Sequence, residues 1–144
     1  MKTFTVSRIF IVLLACSMMG FVQQSYAEII VIVNPSNTTT MTQKQVQRIF
    51  LGKLKTFSNS AVAIPIDLPQ KSDTRIEFSR LVIKKDMRQV SSYWSRLIFT
   101  GKGLPPKQVN TGEEAKKLVA RNPDAIAYID SSLLDDTVRQ VSFE

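Results

Sequence analysis

The chain lacks histidine and has only one cysteine, and both absences narrow the chemistry it can perform. Without histidine there is no Ser-His-Asp or Cys-His catalysis, and the usual zinc sites are excluded. The acidic residues are not spaced as a catalytic pair or a carboxylate metal site, and neighbours such as Asp135 and Asp136 are typical of helix ends. The sequence therefore predicts a protein that is not an enzyme and that uses no metal and no cofactor.

The first 27 residues have the composition of a cleavable export signal. Lys2 and Arg8 make a basic start, residues 9–21 form an apolar core without an acid, and Ala27 ends a small-x-small cleavage sequence. The core is shorter than the about 20 apolar residues that a membrane-spanning helix needs. We therefore predict a signal peptide over residues 1–27 and a periplasmic mature chain.

Lipidation of Cys16 is the alternative, because the residues before it approximate a lipoprotein motif. Leu14 is large for its position in that motif, and cleavage there would leave a second apolar stretch on the mature chain. We therefore favour cleavage after Ala27. The mature chain then contains no cysteine and cannot form an internal disulfide.

The remaining residues, 28–144, are enough for one small domain and too few for two. They carry 17 basic and 12 acidic residues, a net charge of +5, which solubility alone accounts for. The paired lysines at 53 and 55, 84 and 85, and 116 and 117 form separate clusters, so the sequence gives little support for binding to an anionic surface. Nucleic acid is not a predicted partner of an exported chain whose charges are spread out.

Apolar runs predict strands at residues 29–33, 61–66 and 125–129, and an alternating run predicts another at 138–143. Capping residues and apolar spacing predict four helices. These begin after Thr42, after the turn at residues 67–73, at about Asp86 or Met87, and after Thr111. Strands interleaved with helices indicate an α/β fold, a three-layer sandwich with a mainly parallel sheet.

Residues 64–78 are the stretch that most suggests a binding site. An apolar run passes through a polar turn into a helix that carries Ser72, Asp73, Thr74 and Arg75. Helix N-termini bind anions through unpaired amides and the helix dipole, and arginine is a good clamp for an oxyanion. The alternative is that Ser72 or Asp73 caps the helix and that Thr74 forms a capping box with Glu77. Arg75 would then be solvated, with the inner face made by Ile76, Phe78, Leu81 and Val82.

Three segments together resemble one family. They are V-I-V-N-P-S-N followed by Q-V-Q-R-I-F-L-G-K; I-P-I-D followed by S-D-T-R-x-E-F; and Y-W-S-R-L-I-F-T-G-K-G-L-P-P followed by N-P-D-A-I-A-Y-I-D. In this order they are similar to the second lobe of phosphate-binding proteins of ABC importers, in the type 2 periplasmic-binding superfamily. The resemblance covers most of the mature chain, and it is closer still to short exported chains that consist of little else.

The resemblance implies a non-enzymatic solute-binding protein for phosphate or a related oxyanion, linked to ABC-type phosphate uptake. In the larger proteins an S-G-T turn holds the phosphate, and Ser72 and Thr74 match two of its three positions. With Arg75 they form the predicted ligand-binding set. Asp73 departs from the family, since it replaces the glycine with an acid.

The chain also departs from the family in length, because full-length members enclose the anion between two lobes. One lobe leaves half of the ligand shell to another chain, so the predicted partners are a second copy or an envelope protein. The alternative function is an interaction module of the cell envelope that kept the lobe fold and lost solute binding. An exposed cleft face would then be covered by a partner.

Overall fold

The computed structural model describes residues 28–143. The predicted signal peptide, its cleavage after Ala27 and the lipidation alternative at Cys16 lie outside the described residues. Across 28–143, no helix is both long enough and apolar enough to cross a membrane.

One sheet and four α-helices make up the described chain. The strands are β1 (Ile29–Val33), β2 (Ile64–Asp67), β3 (Lys107–Gln108), β4 (Ala125–Asp130) and β5 (Arg139–Gln140). The helices are α1 (Gln43–Phe50), α2 (Asp73–Phe78), α3 (Met87–Phe99) and α4 (Gly112–Arg121). Helix α2 continues into a π-helical segment, Ser79–Ile83, and a 3-10 turn, Ser131–Leu133, follows β4.

The strands lie in the order β3-β2-β4-β1-β5. Strands β2, β3 and β4 pair in parallel, whereas β1 is antiparallel to both β4 and β5. Four of the five strands therefore share one direction, which confirms the predicted α/β fold with a mainly parallel sheet. The apolar pattern of β1 correctly predicts its burial but carries no information about its direction.

The sheet is covered on both faces. Tyr128 of β4 contacts the rings of Phe50 in α1 and Phe78 in α2. The next residue, Ile129, approaches α4, since a Cβ on Gly112 would lie 3.7 Å from its Cγ2. Because successive side chains of a strand point to opposite faces, α1 and α2 cover one face and α4 the other. The predicted three layers are confirmed.

The predicted edges of the sheet differ from the structure. Strand β2 begins only at Ile64, and Val62 instead forms an isolated bridge with Thr56. The alternating run at 138–143 pairs with β1 only over β5, with a separate bridge between Phe143 and Met41, and β3 is a strand that the sequence does not predict. Both short strands are at the edges of the sheet, where one-sided pairing and partial exposure leave no continuous apolar run to detect.

The predicted inner face of α2 is partly wrong. Phe78 and Val82 are buried as predicted, but Ile76 and Leu81 are 44% and 37% exposed. Their places are taken by two polar residues, Arg75 and Ser79. The buried positions Arg75, Phe78, Ser79 and Val82 follow the i, i+3, i+4, i+7 spacing of one helix face. An arginine at the first of them conceals the pattern when only apolar residues are counted.

Ser72, and not Asp73, is the N-cap of α2. Its hydroxyl accepts a hydrogen bond from the Arg75 amide at 3.3 Å, and its carbonyl accepts one from the Ile76 amide. Asp73 is then the first residue of the helix and is exposed. The π-helical segment ends at Lys84, which adopts a left-handed conformation with φ 58°.

Two glycines with left-handed backbones provide a matched test of the packing between α1 and α3. Gly52 has φ 68° and Gly101 has φ 66°, but only at Gly52 would a Cβ meet a neighbour, the Trp94 ring, at 3.2 Å. We expect Gly101→Ala to cost about 1 kcal/mol of unfolding free energy through backbone strain alone. Gly52→Ala should cost about 2 kcal/mol or more, because the buried indole must also shift. Urea denaturation measures both, and equal losses would contradict the Gly52–Trp94 contact.

Candidate functional site

Three buried polar side chains meet at the end of β2. The Arg75 guanidinium donates from Nη2 to Asp67 Oδ2 at 2.8 Å and from Nη1 to the Leu68 carbonyl at 2.7 Å. The Tyr128 hydroxyl donates a hydrogen bond to Asp67 Oδ1, and the Leu68 amide donates to the same oxygen at 2.9 Å. The group, which we call the Asp67–Arg75–Tyr128 cluster, ties β2, β4 and α2 together.

The cluster is nearly closed to water. The side chains of Arg75 and Asp67 are only 7% and 11% exposed, and Tyr128 is fully buried. Burial raises the pKa of Asp67, although Arg75, the Tyr128 hydroxyl and the Leu68 amide each act to lower it. Burial and the nearby carboxylate also raise the pKa of Tyr128, so this residue stays a hydrogen-bond donor at any ordinary pH.

Aromatic rings hold the cluster in position. The Phe78 ring stacks on the Tyr128 ring with centroids 3.7 Å apart and planes 3° apart. The Phe50 ring meets both edge-on, at 4.8 Å from Phe78 and 5.6 Å from Tyr128. Because aromatic rings are rigid and large, this packing fixes where the Tyr128 hydroxyl can lie and hence where Asp67 is held.

A cleft of about 260 Å³ opens beside the cluster, between α2, α3 and the carboxyl ends of β2 and β3. Its charged wall is Asp67 and Arg75, and its remaining lining residues are Gln70, Val90, Ser91, Trp94, Ser95, Ile98, Pro105, Pro106 and Gln108. In open α/β sheets, ligands bind in crevices outside the carboxyl ends of the strands. The cleft therefore has the expected position, and its hydroxyl and amide groups can donate hydrogen bonds.

The predicted site residues are divided by the structure. Arg75 lines the cleft, but Ser72 and Thr74 are not among its lining residues. Both are partly exposed at the first turn of α2, where Ser72 serves as the N-cap. Within residues 28–143, the caps leave the amides of Asp73 and Thr74 without a backbone acceptor, as expected at a helix start. Their role in ligand binding stays a prediction.

The polar cleft residues that were not predicted from the sequence are Asp67, Gln70, Ser91, Ser95 and Gln108. One signal was available for Asp67: it is an acid at the end of an apolar strand, eight positions before an arginine on a helix's inner face. A buried charge needs a partner, so the two residues could have been paired. No comparable signal existed for the serines, because exposed serines on a helix are common. Within the part of the chain that the structure describes, no three histidine, cysteine or acidic residues are grouped for a metal ion.

No protein-family model and no curated protein matches the chain. Solved structures do. The fold is similar to that of an ABC-type phosphate transport receptor from Vibrio cholerae, with 20% identity and a TM-score of 0.63 over 80% of this chain and 45% of that one. It is similar also to a putative phosphate ABC transporter substrate-binding protein with bound phosphate from Clostridium perfringens, with 24% identity and a TM-score of 0.65 over 80% of this chain and 44% of that one.

A third similar structure is PstS from Borrelia burgdorferi, with 15% identity and a TM-score of 0.60 over 81% of this chain and 47% of that one. At these identities the similarity concerns the fold. The chain spans less than half the length of these structures. A possible phosphate binding protein from Planctomyces limnophilus is similar too, so the shared fold agrees with the one that the sequence resemblance predicted. The described chain has the fold of one lobe of a PstS-like periplasmic binding protein.

Proposed function

We propose that this chain is an exported, non-enzymatic solute-binding protein that holds phosphate or a related oxyanion and serves ABC-type phosphate uptake. The observation that carries the proposal is the position of Arg75. It is a buried cation on the wall of a cleft at the carboxyl end of β2, in a fold shared with phosphate-binding proteins. A fixed guanidinium with hydroxyl and amide donors around it is suited to an oxyanion.

In this proposal the ligand sits in the cleft against Arg75, and side chains of α3 complete one side of the shell. Ser91 and Ser95 supply hydroxyls, and Gln70 and Gln108 supply amide donors. Ser72, Thr74 and the free amides at the start of α2 add donors where the ligand extends beyond the cleft. Each donor is neutral, so Arg75 supplies the full positive charge.

Asp67 limits the affinity of this arrangement. Its carboxylate accepts the Nη2 donor of Arg75 and offsets its charge, so an oxyanion must compete with an existing ion pair. The chain also spans less than half the length of the similar phosphate-transport structures, so the described cleft supplies one side of a ligand shell. We propose that a second copy of the chain or another envelope protein supplies the other half of the shell.

A second candidate function is an envelope interaction module that no longer binds solute. The same ion pair favours it, because Arg75 already has two internal acceptors, Asp67 and the Leu68 carbonyl. Exposed apolar side chains at the cleft favour it too: Ile98, which lines the cleft, is 51% exposed, and Leu104, which precedes the lining residue Pro105, is 78% exposed. An apolar rim of this kind is suited to contact with another protein.

Phosphate titration by calorimetry tests the first candidate. We expect heat of binding with phosphate and none with chloride at equal ionic strength. Asp67→Asn should tighten phosphate binding by about tenfold, because it removes a like charge and releases Arg75 from its pair. Asp67→Asn leaves the buried Arg75 without its carboxylate and should lose folding stability, so urea denaturation first checks that the variant is folded under the conditions of the titration.

The control for this titration is Glu77→Gln, which removes an exposed carboxylate that pairs with Arg80 on α2 outside the cleft. It should leave phosphate affinity unchanged. If neither the wild-type protein nor Asp67→Asn gives heat with millimolar phosphate, the oxyanion proposal fails. Tighter binding in both variants would instead indicate a general effect of net charge.

Arg75→Met tests whether the buried Asp67 carboxylate needs its cation for the protein to remain stable. Arg75→Met leaves the Asp67 carboxylate buried without its cation, which should cost about 3–5 kcal/mol of unfolding free energy at pH 7. The loss of Arg75 also raises the pKa of Asp67 further. The folded state then binds the proton more tightly than the unfolded state, so the lost stability returns as the pH falls through that pKa towards 3.8.

Urea denaturation of wild type and Arg75→Met at several pH values measures this difference. Subtracting the unfolding free energies of the two proteins at each pH removes the contributions of the other acids. Asp135, for example, has a pKa of about 2, so its charge stabilises both proteins until the solution is strongly acidic. Arg80→Met, which removes an exposed arginine of the same helix, should cost less than about 1 kcal/mol. A cost for Arg75→Met that does not change with pH would contradict a buried, unpaired carboxylate.

Light scattering tests whether the apolar rim mediates self-association. If a second copy covers the cleft, the purified protein should be a dimer at micromolar concentration, and Ile98→Ser should convert it to a monomer, since Ile98 lines the cleft and is 51% exposed. Val62→Ser is the control, since Val62 is 53% exposed but does not line the cleft. A wild-type monomer at all concentrations would exclude a second copy as the cover and leave only a different protein.

A further inference from the structure

The outer side of α3 carries a cluster of cations away from the cleft. A surface concavity of about 470 Å³ is lined by Lys85, Arg88, Gln89, Ser92, Tyr93 and Arg96. Lys53, which follows α1, joins them, because its ammonium lies 5.7 Å from the centroid of the Tyr93 ring. We call Lys53, Lys85, Arg88 and Arg96, with Tyr93 between them, the α3 basic face. From Lys85 to Arg96 it extends roughly 16 Å.

Tyr93 organises this face. Its hydroxyl donates a hydrogen bond to the Leu51 carbonyl at 2.6 Å, and its ring meets the Trp94 ring edge-on at 5.1 Å. The fixed ring attracts two cations, the Lys53 ammonium and the Arg96 guanidinium, the latter 6.0 Å from its centroid. The fold thus gathers Lys53 and Lys85, which the sequence presents as separate clusters, onto one surface.

No carboxylate within residues 28–143 forms a salt bridge with a cation of the α3 basic face. The ion pairs there involve Arg75, Arg80 and Lys116. Asp86 is the single acid in residues 79–107, against seven basic residues, and its carboxylate caps α3 by accepting the Gln89 amide at 2.8 Å. The positive charge of this face is therefore uncompensated.

The acids lie elsewhere. Residues 110–137, which include α4 on the other face of the sheet, contain six acidic and three basic residues. The charge is therefore distributed unevenly along the described chain: residues 79–107 carry a net charge of +6 and residues 110–137 a net charge of −3, although α4 itself holds two acidic and three basic residues. A charge asymmetry of this kind orients a protein towards an anionic surface.

An exposed aromatic ring lies beside the cations. Phe99 is 92% exposed and follows Ser95 and Arg96 by four and three residues, so it continues the same side of α3 by one turn. Within residues 28–143, no side chain covers the Phe99 ring. Cations next to a protruding aromatic ring are the features by which helices bind at a lipid interface.

We propose that the α3 basic face binds the surface of an anionic lipid bilayer. Its four cations contact lipid phosphates, and the Phe99 ring enters the boundary between headgroups and acyl chains. A bilayer accepts an apolar ring at any point of its surface, whereas a protein partner must supply a matched pocket. One isolated phenylalanine among dispersed cations therefore fits a lipid surface better than an acidic protein.

Vesicle co-sedimentation with the purified protein tests the proposal, with vesicles of phosphatidylcholine alone and with one third phosphatidylglycerol. We expect binding to the anionic vesicles and at least tenfold weaker binding to the neutral ones. Arg88→Glu with Arg96→Glu should reduce partitioning by about a hundredfold or more, given the attraction that each cation near the surface contributes. Phe99→Ser should reduce partitioning by about tenfold, and 1 M salt should weaken the electrostatic binding that this variant retains.

The matched control is Lys117→Glu with Arg121→Glu, the same change of net charge at two exposed positions of α4. Arg121 lies in the last turn of its helix, as Arg96 does in α3, so the cost to helix stability is similar. An equal effect of both double variants would overturn the proposal, because binding would then follow net charge. Binding to polyglutamate but not to anionic vesicles would also overturn it, in favour of an acidic polypeptide.

Discussion

The Asp67–Arg75 ion pair is the interaction on which the arrangement of this lobe depends. It joins the end of β2 to the first turn of α2, and the Tyr128 hydroxyl extends the connection to the centre of the sheet. A buried ion pair contributes little net stability, because the cost of removing both charges from water offsets their attraction. What it contributes is position: with the aromatic cluster beneath it, the pair gives α2 one register against the sheet.

The same pair determines what the cleft can hold. A lobe that binds an oxyanion needs a positive charge which is fixed in place and still available. Asp67 fixes the position of the Arg75 guanidinium but also makes it less available, because a ligand must compete with the Asp67 carboxylate for the Nη2 donor. Which of the two candidate functions is favoured thus depends on how strongly the Asp67 carboxylate holds Arg75. Burial weakens this hold, because it disfavours the charged form of the carboxyl group.

Much of the fold could be predicted from the sequence, because its strongest signals are local. The β-branched run of β1 and the capping boxes at Thr42 and Asp86 are such signals, and they predict the strand and the starts of α1 and α3. Strand direction, the short extent of β5 and the edge strand β3 could not be predicted, since pairing across the sheet is set by distant residues. For the site, Arg75 was identified as a cation of interest but not as a buried one, and its partner Asp67 was missed. A rule that assigns only apolar residues to the inner face of a helix cannot find such a pair.

Helix α3 connects the two proposed surfaces through its geometry. Val90 and Trp94 anchor it in the core, Ser91 and Ser95 face the cleft, and the arginines of the basic face lie further round. Successive residues of a helix turn by about 100°, so the cleft and the basic face are separated by roughly a quarter of a turn. A chain that lies on a bilayer through this face would therefore hold its cleft open to the side. In that orientation neither the ligand nor a covering partner is blocked by the lipid surface.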